Sequence, residues 1–172
     1  MNSLARARRG PAWLGDASGS AAVEFALVLP LLLLLSLGAL ELGRLFWSYH
    51  IATAAVRDAA RYAARVNFSC ATGMDPATRQ QVINLTRTGT FNGQGHPLIS
   101  GWTSDSSVSV TVTCIDNTNT ATGVLAGPYQ GLAEIPVIKV AATVPFTLNF
   151  AGLFGGGAVT SFNVSHQEAW TE

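Results

Sequence analysis

Residues 25–40 carry no charged side chain, and residues 31–35 are an unbroken run of leucine. Taken from Ser20, the stretch is 21 residues long and holds one ionisable group, Glu24. A bilayer hydrocarbon core takes about 20 apolar residues as a helix. The length and the leucines therefore predict one helical membrane span. Arg6, Arg8 and Arg9 precede it. Basic residues on the near side hold the N-terminus in the cytoplasm and send the rest of the chain outward. A cleaved secretory signal shares the basic start and the leucine core. Its cut would fall near Leu37-Gly38-Ala39, and Glu24 at the head of the core is unusual for such a signal.

The span is only one part of 172 residues, of which 48% are hydrophobic and 12% charged. That length suits one small domain, and the low charge argues against disorder. Ten basic and ten acidic residues leave no net charge, whereas a nucleic-acid binder normally carries a basic excess. Charge falls along the chain, from +2 over residues 1–19 to +1 over 20–66 and −3 over 67–172. The first third thus has a different role from the remainder.

Helical signals continue past the span. Ala52, Ala54, Ala55, Ala59, Ala60, Ala63 and Ala64 are strong helix formers. Glu41 with Arg44 and Asp58 with Arg61 place opposite charges three residues apart, where helical neighbours meet. Asn67 is a stop signal, with Gly73 and Pro76 beyond it. One helix over residues 20–66 would be about 70 Å long at about 1.5 Å per residue, with Pro30 able to kink it. It would cross the membrane and continue as a stalk. The alanine-rich face of that stalk lets a sheet or another helix come close. Arg57, Arg61 and Arg65 form a stripe at four-residue spacing. The stripe is either solvated or set against an acidic surface or lipid headgroups.

Glu24 requires an explanation. A carboxylate at the bilayer centre costs about 2.5–3.5 kcal/mol on insertion scales, and less near the edge. No base stands three or four residues away, since Ser20, Ala21, Leu27 and Val28 are uncharged. The acid is either solvated at the membrane edge or paired from elsewhere. A cut between Gly19 and Ser20 would create an α-amino group four residues before it. That amine would neutralise Glu24 within the chain or on a neighbour.

Gly19-Ser20-Ala21-Ala22-Val23-Glu24-Phe25, followed by the leucines, resembles the class III signal of type IV pilins. The resemblance implies a cut after Gly19 by a prepilin peptidase, with Glu24 at the fifth mature position. More narrowly, residues 19–65 resemble the TadE-like minor pseudopilins of the tight-adherence pilus. The AAVEFALVLP string, the Glu41–Arg44 pair and the Arg57-x-x-Ala60-Arg61-x-Ala63 segment carry that likeness over about a quarter of the chain. Phe25 stands where the major Flp pilins have tyrosine, and Flp subunits are far shorter. TadF and TadG-like proteins are related alternatives. The resemblance implies as partners the prepilin peptidase, Flp-type pilin, TadF-like pseudopilins and the inner-membrane assembly platform, with membrane lipid around the helix. The role it implies is initiation, priming or tip formation of a pilus used for adherence. The other reading is an uncleaved, single-pass anchored protein whose outer domain binds a ligand.

Beyond residue 66 the pattern changes from helical to alternating. Val108, Val110, Val112 and Cys114 alternate with Ser109, Thr111 and Thr113. Ile138, Val140, Ala142, Val144 and Phe146 do the same, with Pro145 placing the far end at an edge or bulge. Residues 159–170 read as a third strand, antiparallel to the second. Residues 91–97 and 117–122 read as loops, and Gly152 with Gly155-Gly156-Gly157 as turns. The fold class is α+β: a long N-terminal helix extended into a stalk and packed against a small antiparallel sheet. The divisions are a leader at 1–19, the helix at 20–66 and a β-rich domain at 67–172. In an oxidising compartment Cys70 and Cys114 are expected to form one disulfide.

Nothing points to an enzyme. His50, His96 and His166 lack metal-ligand spacing, and no GxSxG elbow, Walker loop or GxGxxG is present. Asp105 and Asp116 at the strand ends read as solvated acids, and Trp102 and Trp170 as packing residues. No cofactor, metal or small-molecule substrate is expected.

Overall fold

The computed structural model describes residues 18–118, 129–149 and 159–170. The basic leader, most of the loop expected at 117–122 and the glycines at 152–157 lie outside them. The chain divides into two compact units, residues 1–40 and 41–172. Helix α1 (Ser18–Arg65) begins in the first and ends in the second, within two residues of its expected bounds. It contains Pro30.

In the first unit the helix is bare. Leu27 is 76% exposed and Leu35 63%, and no residue of 19–37 is buried. The helix is long and apolar enough to cross a membrane. Leucine side chains each favour leaving water by about 1.5–3 kcal/mol, so a row of them without a protein cover calls for lipid or other helices.

The second unit is a small α+β structure. Its sheet has three antiparallel strands in the order β1 (Val108–Asp116), β2 (Glu134–Thr147), β3 (Val159–Ala169). Val110 stands opposite Val140, and Val140 opposite His166. The even-numbered side chains of β2 from Pro136 to Phe146 are buried, while Lys139 and Thr143 are exposed. Ala52, Val56, Ala59, Ala60, Ala63 and Ala64 of α1 join Val108, Val110, Ile138, Val140, Ala142, Val144 and Val164 of the sheet in one core. Arg57, Arg61 and Arg65 lie on the exposed side of α1. The alanine face therefore packs against the sheet.

A second helix, α2 (Pro76–Thr88), was not foreseen. Its start is a side-chain cap followed by a proline: Asp75 accepts from the Thr78 N–H at 3.1 Å, and Pro76 needs no donor there. It ends at Gly89, whose φ of +71° lets its N–H reach the Leu85 carbonyl. Pro76, read as lying past a helix stop, opens a new helix. Of its residues Val82, Thr86 and Thr88 are buried, and the Thr86 hydroxyl bonds back to the Val82 carbonyl. From α2, Arg79 donates to the Val110 carbonyl at 2.5 Å. Even-numbered β1 carbonyls point away from β2, so Arg79 occupies part of an otherwise free sheet edge.

Two prolines sit inside β2 without breaking it. Trp170 donates to the Pro136 carbonyl, and β1 reaches only as far as Ala142 on the other side. The missing N–H of Pro145 thus faces the side where β1 has ended, as the edge expectation required. The disulfide Cys70–Cys114 is present, with Cα atoms 6.0 Å apart. It ties the segment after α1 to β1. Trp170 adds a second tie, donating from its indole to the Val66 carbonyl at 3.1 Å.

Candidate functional site

Gly19, Ser20, Glu24 and Phe25 lie together in the first turns of α1, all exposed. A Cβ placed on Gly19 would meet nothing within 4 Å. Internal packing therefore gives no reason for glycine at that position. The Ser20 hydroxyl donates to Glu24 Oε1 at 3.4 Å, across one turn. This is a long and neutral-donor contact, so it leaves most of the carboxylate's charge uncompensated. Phe25 is 60% exposed beside it. An acid, a hydroxyl and a large ring are thus presented outward where an apolar helix starts.

The second cluster lies at Glu41 and Arg44, in the second unit. They form the expected ion pair at 3.0 Å. The contact extends beyond the pair. The backbone N–H of Asn149 donates to Glu41 Oε1 at 3.1 Å, and the Asn149 amide oxygen, turned to the guanidinium, accepts from Arg44 at 2.7 Å. The Arg44 guanidinium also stands 5.6 Å from the centre of the Phe146 ring. The pair fastens the end of β2 to the helix, a role that three-residue spacing alone does not reveal. Asp58 and Arg61 do not close into the expected pair. Both are exposed, and an exposed pair gains too little to hold two flexible side chains together.

Other polar contacts hold the second unit. Arg87 pairs with Asp105 and donates to the Thr103 carbonyl at 2.6 Å. Asp105 also accepts from Gln80 at 2.9 Å, so the acid read as solvated ties α2 to the approach to β1. Trp102 is fully buried, and its indole donates to Ser107 at 2.8 Å. Thr118 donates to Asp116 from its hydroxyl at 2.7 Å and its backbone at 2.8 Å. The hydroxyl bond first, then the backbone bond, hold the Asp116 carboxyl below its ordinary pKa.

His166 contacts Glu168 at 3.0 Å, and His50 lies edge-on to Tyr49. Cys70, Cys114 and Glu134 converge, but both sulfurs are in the disulfide and hold no thiolate for a metal. One depression of about 600 Å³ is lined by Trp102, Ser104, Thr143, Pro145 and Ser161 among others, with no ionisable group. A second, about 450 Å³, has Arg65 and Glu134 on its walls beside the disulfide.

The model of the TadE-like protein family matches residues 19–61. That match opens at the exposed glycine, covers the bare span and the Glu41–Arg44 pair, and ends on the arginine stripe. No curated protein and no solved structure matches the chain at a significant level.

Proposed function

We propose that this chain, TadE-like over residues 19–61, is a non-enzymatic minor pseudopilin of a tight-adherence pilus system. In this reading a prepilin peptidase cuts after Gly19, and the mature subunit supports assembly or initiation of the pilus. Flp-type pilin, TadF-like pseudopilins and the inner-membrane platform are the partners, and the second unit, the outer one in this reading, lies on the far side of the inner membrane.

The observation that carries the reading is the placement of Glu24 in the matched segment, on a helix that its own chain leaves uncovered. At the edge of a bilayer the acid reaches headgroups and water. Once the helix packs among other helices it loses both, and an unpaired charge there is costly. A cut after Gly19 supplies the counter-charge, an amine at Ser20. The Ser20–Glu24 contact shows that this position already lies within a turn's reach of the carboxylate. An amine on an adjacent subunit meets Glu24 only in the correct stagger, so charge pairing selects register.

The second reading, a permanently anchored binding protein, is favoured by one feature: the Gly19–Ser20 bond lies within α1, which starts at Ser18. Determination of the mature N-terminus separates the two. A start at Ser20 supports assembly. Met1 supports the anchor, and a start near Leu40 supports simple secretion. Gly19→Leu should block processing, whereas Glu24→Ala should be cut normally and lose pilus assembly or partner co-purification. Normal processing of Gly19→Leu, or normal assembly of Glu24→Ala, removes the corresponding step.

A further inference from the structure

We infer that Phe46, Trp47 and Tyr49 seat the outer unit in the lipid headgroup layer, and that the arginine stripe stands clear of the membrane. Phe46 is 61% exposed and Trp47 71%, in a unit that buries Trp102 completely. Tyr49 packs one side of its ring on Phe162, at 5.7 Å between centroids, and remains 45% exposed. These rings follow the bare span on the same uninterrupted helix, and that continuity identifies the occupant. Large apolar rings in water are unfavourable, while Trp and Tyr gain where an apolar body and a polar tip are both accommodated.

Helix length supports the same depth. A hydrocarbon core of about 30 Å takes about 20 residues at about 1.5 Å each. Counted from Glu24, it ends near Arg44. The remaining headgroup layer is about 5–8 Å on each side, which reaches residues 47–49. The ionic groups at that boundary are matched within the chain, because Arg44 is held by Glu41 and Asn149. The aromatic rings are what the helix presents outward. Arg57 follows Trp47 by ten residues, about 15 Å, and Arg65 by eighteen, about 27 Å. Both distances exceed a headgroup layer, and at physiological salt charge is screened over about 8 Å. The stripe therefore faces solvent or a protein partner and does not read lipid charge. The inference shares only the membrane span with the proposed function and holds whether or not the chain is cut.

The test uses the full chain in phosphatidylcholine–phosphatidylglycerol vesicles whose acyl chains carry bromine either near the headgroup or near the bilayer centre. The emission of Trp47 is taken as the difference between the wild type and Trp47→Phe, with formation of the Cys70–Cys114 disulfide as the check on folding. Shallow bromine should quench it several-fold more strongly than deep bromine. A tryptophan introduced by Ala54→Trp in the Trp47→Phe background should be quenched by neither and should respond to aqueous iodide. Trp47 quenched by iodide alone would place the rings in water. Trp47 shielded from both iodide and bromine would make a second copy the occupant. Stronger quenching by deep bromine, or lipid quenching at position 54, would place the helix at another depth. Each of these outcomes overturns the inference.

Discussion

Residues 25–40 and the alanine face of residues 52–64 belong to one helix and are both apolar, yet their surroundings are opposite. The first stretch is leucine-rich and bare; the second is alanine-rich and buried, with Ala52, Ala59, Ala60 and Ala63 fully inaccessible. The difference lies in side-chain size. Alanine has little area of its own to hide, so its contribution is to let valines and isoleucines of the sheet approach the helix. Leucine projects far from the axis and suits a fluid surround or other helices. One element therefore carries two apolar surfaces that differ in side-chain bulk.

The largest expected effect is confined to the buried half. Cys70→Ser with Cys114→Ser opens a closed loop set by a separation of 44 residues. The chain-entropy account assigns such a loop roughly 4 kcal/mol. Urea unfolding of the full chain in detergent should show that loss in the outer unit, with membrane insertion unchanged. Next comes a pair of substitutions that break the comparison if the halves are coupled. Leu33→Arg should cost about 2.5–3.5 kcal/mol of insertion and leave urea unfolding of the outer unit as it was. Ala59→Leu should overpack the helix–sheet contact by about 1–3 kcal/mol and leave insertion as it was. Insertion is read by alkaline extraction of membranes. An insertion defect in Ala59→Leu would show that the sheet helps to hold the span.

The smallest effect sharpens the comparison inside the sheet unit. Thr118→Val removes the hydroxyl that depresses the Asp116 pKa. A carboxylate with a lowered folded-state pKa stabilises the fold above its unfolded pKa of about 3.9 and loses that contribution as pH falls through the lowered value. The variant should therefore melt slightly below the wild type at neutral pH. The two curves should converge in acid. A difference that persists below the lowered pKa would assign the effect to packing.

Features written as periodicity were legible. The long apolar helix, the alanine face, the strand centres and the disulfide follow from spacing and residue type, and the structure contains each of them. Helix α2 escaped because PATRQQVINLTRT has too few apolar residues to show a helical stripe. Its signal was in its punctuation, Asp75-Pro76 at one end and Gly89 at the other. The use of Arg44 by Asn149 and Phe146, and of Asp105 by Arg87 and Gln80, depends on residues distant in sequence and had no local trace. In the candidate site, the Gly19–Glu24 interval was legible, whereas the Ser20 contact that narrows the position of Glu24 was not.

The two prolines of β2 also limit how the sheet can be misassembled. Sliding β1 by four residues toward Thr147 would keep every side chain on its proper face, so hydrophobic pattern alone would not forbid it. That slip sets Ser109 opposite Pro145, which has no donor to offer and a ring in the way. A stray strand from another molecule laid along the same margin meets the same obstacle. An imino acid that looks like a flaw in the middle strand thus works as an end-stop, limiting how far the ladder can be shifted.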